Sequence, residues 1–230
     1  NSFSTNISKA RKKFLEIHSL HSSYIIENIQ KKYTPNVSNE TDYIDSFDKK
    51  VNKIIVKKTY FSDGKVHEIQ KYIGNSKTGE WVEHFKNSDN IYMLQNWKNN
   101  KKNGITKVYH NNKQLRRIGN YLNDKMNGEW KYYTKTGKLY LITHYENGLE
   151  SGLAKTFHDN KQVKTVGNYL FDKKNGEWKT FSETGKLYGL EYYKNGKKNG
   201  VWKYYYSDGT LDYTENYNET VMKRSIYRDG

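Results

Sequence analysis

A glycine that returns every 24 residues constrains this chain more than any other feature. Glycines at 79, 104, 128, 152, 176 and 200 are separated by 25 residues once and by 24 four times. Each follows a small polar residue, and tryptophan often follows two positions later. The series runs Thr78-Gly79-Glu80-Trp81, Asn103-Gly104, Asn127-Gly128-Glu129-Trp130, Ser151-Gly152, Asn175-Gly176-Glu177-Trp178 and Asn199-Gly200-Val201-Trp202. A period of this length means one supersecondary unit per repeat. Half a period later a second turn signal recurs, at Asp63-Gly64, Asn112-Lys113, Thr136-Gly137, Asn160-Lys161, Thr184-Gly185 and Asp208-Gly209. Asp-Gly and Asn-Gly supply the positive φ values that tight hairpins need. The intervening runs are short and rich in β formers, so each repeat reads as one β-hairpin.

One class of strand is represented by Trp130–Tyr133, Trp178–Phe181 and Trp202–Tyr206. The other carries an apolar residue and an aromatic six positions apart, as in Leu115/Tyr121, Leu139/Tyr145, Val163/Tyr169, Leu187/Tyr193 and Leu211/Tyr217. An even offset places both members of such a pair on one face of a regular strand. Trp130 and Tyr133 are an odd offset apart. Either a regular bulge or a single sheet with aromatics on both faces accounts for that, and the low apolar content favours the second.

The predicted architecture is mainly β: an elongated single-layer antiparallel β-meander of about seven hairpins over residues 51–230. Its C-terminal edge is expected at Val221–Tyr227. Ahead of it, residues 1–34 form an N-terminal segment in which Phe14, Ile17, Leu20, Tyr24, Ile25 and Ile29 predict an amphipathic α-helix. Residues 35–50, which include the single proline Pro35, read as a linker.

Composition agrees with a thin, half-exposed sheet. Hydrophobic residues make up 34% of the chain, charged residues 28%, and the mean hydropathy is −1.09. The 22 tyrosines and 5 tryptophans suit pleated surfaces that keep one side wet. The formal charge of +15 favours an acidic partner, although lysines spread over every repeat also serve solubility and edge protection. Cysteine is absent, which excludes disulfides and thiolate chemistry. No stretch approaches the roughly 20 apolar residues of a membrane helix. Because the chain starts at Asn1, the compartment stays open: cytoplasm, or periplasm or cell surface if a signal peptide or lipoprotein cysteine precedes it.

The pattern Tyr-x-x-Gly-x-x-x-Gly-x-Trp, complete in Tyr193–Trp202 and echoed in Tyr121–Trp130 and Tyr169–Trp178, resembles the bacterial variant of the MORN repeat. The resemblance extends over about residues 51–229 and departs at Ile105-Thr106 and Leu153-Ala154, where the tryptophan is missing. It implies an interaction module. Bacterial proteins of this type are described as antitoxins, immunity proteins or cell-surface accessory factors, and eukaryotic ones as scaffolds that contact phosphoinositides.

Catalysis needs unlike groups converging on one point, and the repeat spaces like residues apart. His110 and His158 sit two repeats from each other, about 19 Å apart in a meander. His18 and His21 share a helix face without an evident third metal ligand. P-loop, nucleophile-elbow and dinucleotide motifs are absent. Asn195–Gly200 is rich in glycine and lysine but reads as a turn, and Glu129 and Glu177 recur as ladder positions. No enzyme, cofactor or metal is therefore expected. Binding is better supported. A Lys-x-aromatic pair recurs as Lys107/Tyr109, Lys131/Tyr133, Lys155/Phe157, Lys179/Phe181 and Lys203/Tyr205. Aromatic anchors rimmed by cations suit a protein partner, a toxin or a surface or secretion component. Anionic lipid or nucleic acid is the alternative.

Overall fold

A computed structural model describes residues 53–217 and 223–226, all within the compact unit Asp42–Gly230. The helix predicted in 1–34 and the linker 35–50 lie outside the described residues. In chain order the strands are β1 (Ile54–Tyr60), β2 (Val66–Ile73), β3 (Ser76–Lys77), β4 (Gly79–His84), β5 (Ile91–Lys98) and β6 (Lys101–Tyr109). They continue with β7 (Leu115–Leu122), β8 (Lys125–Tyr133), β9 (Leu139–Glu146), β10 (Leu149–Glu150), β11 (Gly152–Phe157) and β12 (Val163–Leu170). The series closes with β13 (Lys173–Phe181), β14 (Leu187–Lys194), β15 (Lys197–Lys198), β16 (Val201–Tyr205), β17 (Leu211–Asn216) and β18 (Lys223–Ile226). Successive strands pair antiparallel, except that β3, β10 and β15 pair only with the strand before them, and the result is one open sheet of successive hairpins. The short β3, β10 and β15 are the leading ends of β4, β11 and β16, cut off by one or two residues.

Two kinds of turn alternate. Asn123 and Asp124, with φ of 50° and 69°, form a two-residue turn whose twist matches that of the strands. At the opposite edge Thr134 donates its N–H to the Lys138 carbonyl and accepts from the Gly137 N–H, with Gly137 at φ 79°. The tips are stitched from hairpin to hairpin. Asp124 donates its N–H to the Lys102 carbonyl and accepts the Lys102 N–H on Oδ1. Asn112 and Asn160 donate their side-chain amides to Lys135 and Glu183 carbonyls on the next tip.

The period-setting glycines do not make the turns. Gly176 lies inside β13 at φ 77°. Asn168 pairs with Asn175 while Gly167 pairs with Trp178, so Gly176 and Glu177 are extra residues bulged out of the ladder. A second bulge recurs near the other edge. Tyr132 faces Leu141 and Tyr133 faces Leu139, leaving Tyr140 as the inserted residue, its ring 6.4 Å from that of Tyr132. This insertion reverses the strand's phase. Leu139 shares a face with Tyr133, whereas Tyr145 turns to the face of Trp130, with ring centroids 6.1 Å apart. The six-residue pairs expected on one face are split between two. Regular bulges and aromatics on both faces therefore coexist.

The core is mainly one row crossing the strands on one face, with Val108 buried in the row beside it. Register pairs Trp81 with Gln95, Gln95 with Thr106, Thr106 with Gly119, Trp130 with Thr143, Ala154 with Gly167, Gly167 with Trp178, Trp178 with Glu191 and Trp202 with Glu215. Gln95, Thr106, Trp130, Thr143, Ala154, Trp178 and Trp202 are all buried. Each tryptophan of the row donates its indole N–H to a carbonyl ten residues back, as Trp130 does to Asn120 and Trp178 to Asn168. The two departures from the repeat are compensated here. A Cβ on Gly119 would stand 2.1 Å from the Trp130 ring, and one on Gly167 would stand 2.2 Å from Trp178. Each indole therefore lies flat on a glycine of the preceding strand, beside the small Thr106 or Ala154. The sequences agree: Gly119–Leu122 returns as Gly167–Leu170 and Asn127–Lys131 as Asn175–Lys179. Two hairpins, not one, form the repeating unit in this part of the array.

Candidate functional site

The opposite face carries the Lys-x-aromatic pairs. Because lysine and aromatic are two residues apart, alternation puts both on that face. Register joins them into two rows. In the first, lysines alternate with aliphatic residues: Lys107 pairs with Ile118, Ile118 with Lys131, Lys131 with Ile142, Ile142 with Lys155, Lys155 with Val166, Val166 with Lys179, Lys179 with Leu190 and Leu190 with Lys203. In the second, aromatics pair with aliphatics: Tyr109 with Leu115, Tyr133 with Leu139, Phe157 with Val163, Phe181 with Leu187 and Tyr205 with Leu211. The aromatic members are half-buried, while Lys203 is exposed. Aliphatic neighbours in register suit lysine stems, which can cover apolar surface while the charged head stays in water.

The lysines are not equivalent. Lys131 lies 3.0 Å from Glu129, and Lys179 lies 2.8 Å from Glu177, each carboxylate being two residues earlier on its own strand. The hydrogen bond to its glutamate holds each of these ammonium groups above the ordinary lysine range. Glu177 is held below the ordinary carboxylate range by Lys179 and by the Tyr192 hydroxyl, which donates at 2.9 Å. At Lys107, Lys155 and Lys203 the equivalent place is apolar, held by Ile105, Leu153 and Val201, which are 50%, 39% and 37% exposed. Every second hairpin thus presents an exposed aliphatic, a lysine without that intrastrand carboxylate, and an aromatic in a row.

The tryptophan face uses its cations differently. The Lys174 ammonium sits 4.3 Å from the Trp178 centroid and 4.7 Å from Tyr193, and Lys198 repeats this against Trp202 and Tyr217. Lys77 bridges Trp81 and Trp97 at 4.7 and 4.4 Å. These clamps were not anticipated from sequence. Their signal is a lysine two residues before the repeat glycine, at 77, 102, 174 and 198, with Met126 and Glu150 as the exceptions. Each clamp joins neighbouring hairpins through a cation held between two rings.

Histidines 110 and 158 are structural: their Nε2 atoms lie 3.0 and 2.8 Å from the Tyr133 and Phe181 carbonyls of the next hairpin. The segment Asn195–Gly200 has little to offer a phosphate, because the N–H groups of Asn195, Gly196 and Asn199 donate to Asn175, Lys174 and Tyr192. His18 and His21 lie outside the described residues. A grouping missed from sequence is His67, Glu68 and Glu83, whose donor atoms lie within 4.8 Å of one another. Glu68 and Glu83 are 15 residues apart, and only the register brings them together. Burial, and then the neighbouring Glu68 charge, raises the Glu83 carboxyl pKa, against the pull of His67 and Lys102.

No helix among the described residues is long and apolar enough to cross a membrane. No curated protein matches the chain. The crystal structure of TcdB2-TccC3-Cdc42 is similar to 76% of this chain at 13% identity and a TM-score of 0.24, and that of TcdB2-TccC3 to 76% at 15% identity and 0.24. This chain spans 11% of the length of each of those chains, and a likeness at that level bears on neither its fold nor its function. Residues 102–123, 126–147, 174–195 and 198–219 match the family model of the MORN repeat variant. The hairpin between the second and third matches, which carries Glu150 and Ala154 in place of the lysine and tryptophan, is not covered. Those four segments are thus similar to MORN-variant repeats, a type that is generally non-enzymatic and often serves binding.

Proposed function

We propose that the chain is a non-catalytic protein-binding module whose partner docks on the lysine-striped face. The observation that carries this reading is the recurring station of exposed aliphatic, lysine and aromatic at Ile105-Lys107-Tyr109, Leu153-Lys155-Phe157 and Val201-Lys203-Tyr205. An apolar anchor beside a cation that lacks an intrastrand carboxylate favours an acidic protein surface with apolar side chains of its own. The intervening Lys131 and Lys179 are neutralised by their glutamates and serve the sheet. The most specific form of the reading is an immunity or antitoxin protein that neutralises a toxin; it rests on the repeat resemblance alone. Affinity capture from the native host tests the proposal. The wild-type chain should retain a stoichiometric protein partner that the Lys107→Glu/Lys155→Glu/Lys203→Glu variant loses and the Lys131→Gln/Lys179→Gln variant keeps. Equal retention by both variants, or recovery of the free chain alone, would remove the lysine face from the account.

A second reading is favoured by the formal charge of +15: a basic scaffold, or a cell-surface accessory protein, that binds anionic lipid or nucleic acid. Such binding must weaken steeply with salt through counterion release. Sedimentation with phosphatidylserine vesicles, and retention on single-stranded DNA, between 50 and 300 mM salt (roughly the range over which that slope is measurable) separates it from an apolar-anchored protein contact.

A further inference from the structure

Near the start of the described array the tryptophan face carries a donor set that recurs in no other described hairpin. The register sets Glu68 directly opposite Glu83, and like charges so placed destabilise a sheet. Equivalent places farther along hold Arg117 and Tyr132, or Thr165 and Thr180. The bulge that pairs Thr59 with Glu68 and Tyr60 with Val66 makes His67 the inserted residue. Its ring therefore turns to the side of Glu68, as that of Tyr140 turns to the side of Leu141. His67 Nε2 lies 3.9 Å from Glu83 Oε1, and one donor atom from each of the three residues falls within 4.8 Å of the others.

Glu68 and Glu83 line a groove walled by Trp81, Met93 and Trp97. The Trp97 indole N–H is buried without a hydrogen-bond partner, whereas that of Trp81 donates to the Lys71 carbonyl. Lys77 and Lys102 also border the groove, but their ammonium groups are drawn onto the rings of Trp81, Trp97 and Tyr121.

We propose that His67, Glu68 and Glu83 bind a divalent transition metal ion of the Zn²⁺ class. One imidazole nitrogen and two carboxylate oxygens form a borderline donor set, which suits zinc better than Mg²⁺ or Ca²⁺, ions that take oxygen alone. Three protein ligands on a half-open face leave a coordination position to water or to a partner's side chain. The ion also removes the electrostatic cost of opposing two glutamates. This site does not depend on the docking proposal, since it lies on the other face.

Titration calorimetry of the whole chain with ZnCl₂ and with MgCl₂ tests it. One equivalent of zinc should bind and raise the melting temperature, with no comparable heat from magnesium. His67→Asn, Glu68→Gln and Glu83→Gln should each weaken zinc binding by at least about tenfold, as loss of a direct ligand requires. Glu83→Gln should not lower the melting temperature of the metal-free chain, because it breaks up the like-charge pair; a lost zinc response in that variant is then not a folding defect. Absence of zinc binding would overturn the proposal. So would zinc binding that survives all three substitutions, whether or not it disappears in His18→Asn/His21→Asn.

Discussion

The two faces of the sheet both carry aromatic rings, but they hold them in different ways. On one, the indoles of Trp130 and Trp178 lie on glycines, those of Trp81, Trp130, Trp178 and Trp202 donate to backbone carbonyls, and lysines clamp Trp81, Trp178 and Trp202; Trp130, Trp178 and Trp202 are 0%, 6% and 3% exposed. On the other, tyrosines and phenylalanines pair with single aliphatic residues and stay half-exposed beside lysines. The first face is where a thin sheet makes its core. The second is the face on which the proposed partner would dock, since its rings are ordered by pairing without being covered. One layer of hairpins can therefore separate stability from recognition by face, where a globular fold separates them by depth.

The largest test of that division is Trp130→Ala. A fully buried indole removed from the central row should cost about 3–5 kcal/mol in urea unfolding, while binding by the remaining folded chain keeps its lysine-face contacts. Next comes Gly167→Ala. Its Cβ would stand 2.2 Å from the Trp178 ring, so the indole must lift off the sheet. Overpacking of this kind costs about 1–3 kcal/mol, and a red-shifted tryptophan emission would report the exposed ring. If both substitutions were mild, the tryptophan face would not be the core. On the lysine face, Phe181→Ala should cost only about 1 kcal/mol, since the ring is half-buried to begin with, and should lower partner retention in affinity capture. A larger stability loss there than at Trp130 would reverse the assignment of the faces.

Much of this was legible in the sequence, and what was not has an identifiable cause. The 24-residue glycine interval specifies hairpins in chain order because antiparallel neighbours need only short turns. Lys131 and Tyr133 share a face because the residue inserted at the bulge beside them, Tyr140, belongs to the partner strand. Leu139 and Tyr145 do not, because Tyr140 is inserted between the two phases, and an inserted residue in a bulge has no side-chain signature of its own. The repeat glycines looked like turn residues for the same reason: positive φ is needed in a bulge as much as in a hairpin tip. Thr106 and Ala154, where the repeat lacks its tryptophan, are the small halves of a packing pair, completed by Gly119 and Gly167 on the next strand. The His67, Glu68 and Glu83 grouping needed the register itself, which no spacing along the chain contains.

The smallest effect sharpens the lysine face from within. Glu177 bonds Lys179 and Tyr192, and its folded-state pKa is lowered, first by the lysine and then by the hydroxyl. A depressed carboxyl contributes stability that is present above the unfolded value, near about 4.3, and is lost as pH falls through the lower folded value. Lys179 is shifted upward by the same contact, so its share is present below the ordinary lysine range and is lost as pH rises through the raised folded value. Glu177→Gln should therefore be slightly less stable than the parent across neutral pH and converge with it at the acid end. Both groups are exposed enough that solvent screens most of the interaction, and 1 M salt should shrink the difference further. Lys155→Gln, at a station with no carboxylate two residues before it, should show no such convergence. Parallel pH profiles for the two variants would mean that the paired and carboxylate-free lysines are electrostatically alike, and the stations would lose their distinction.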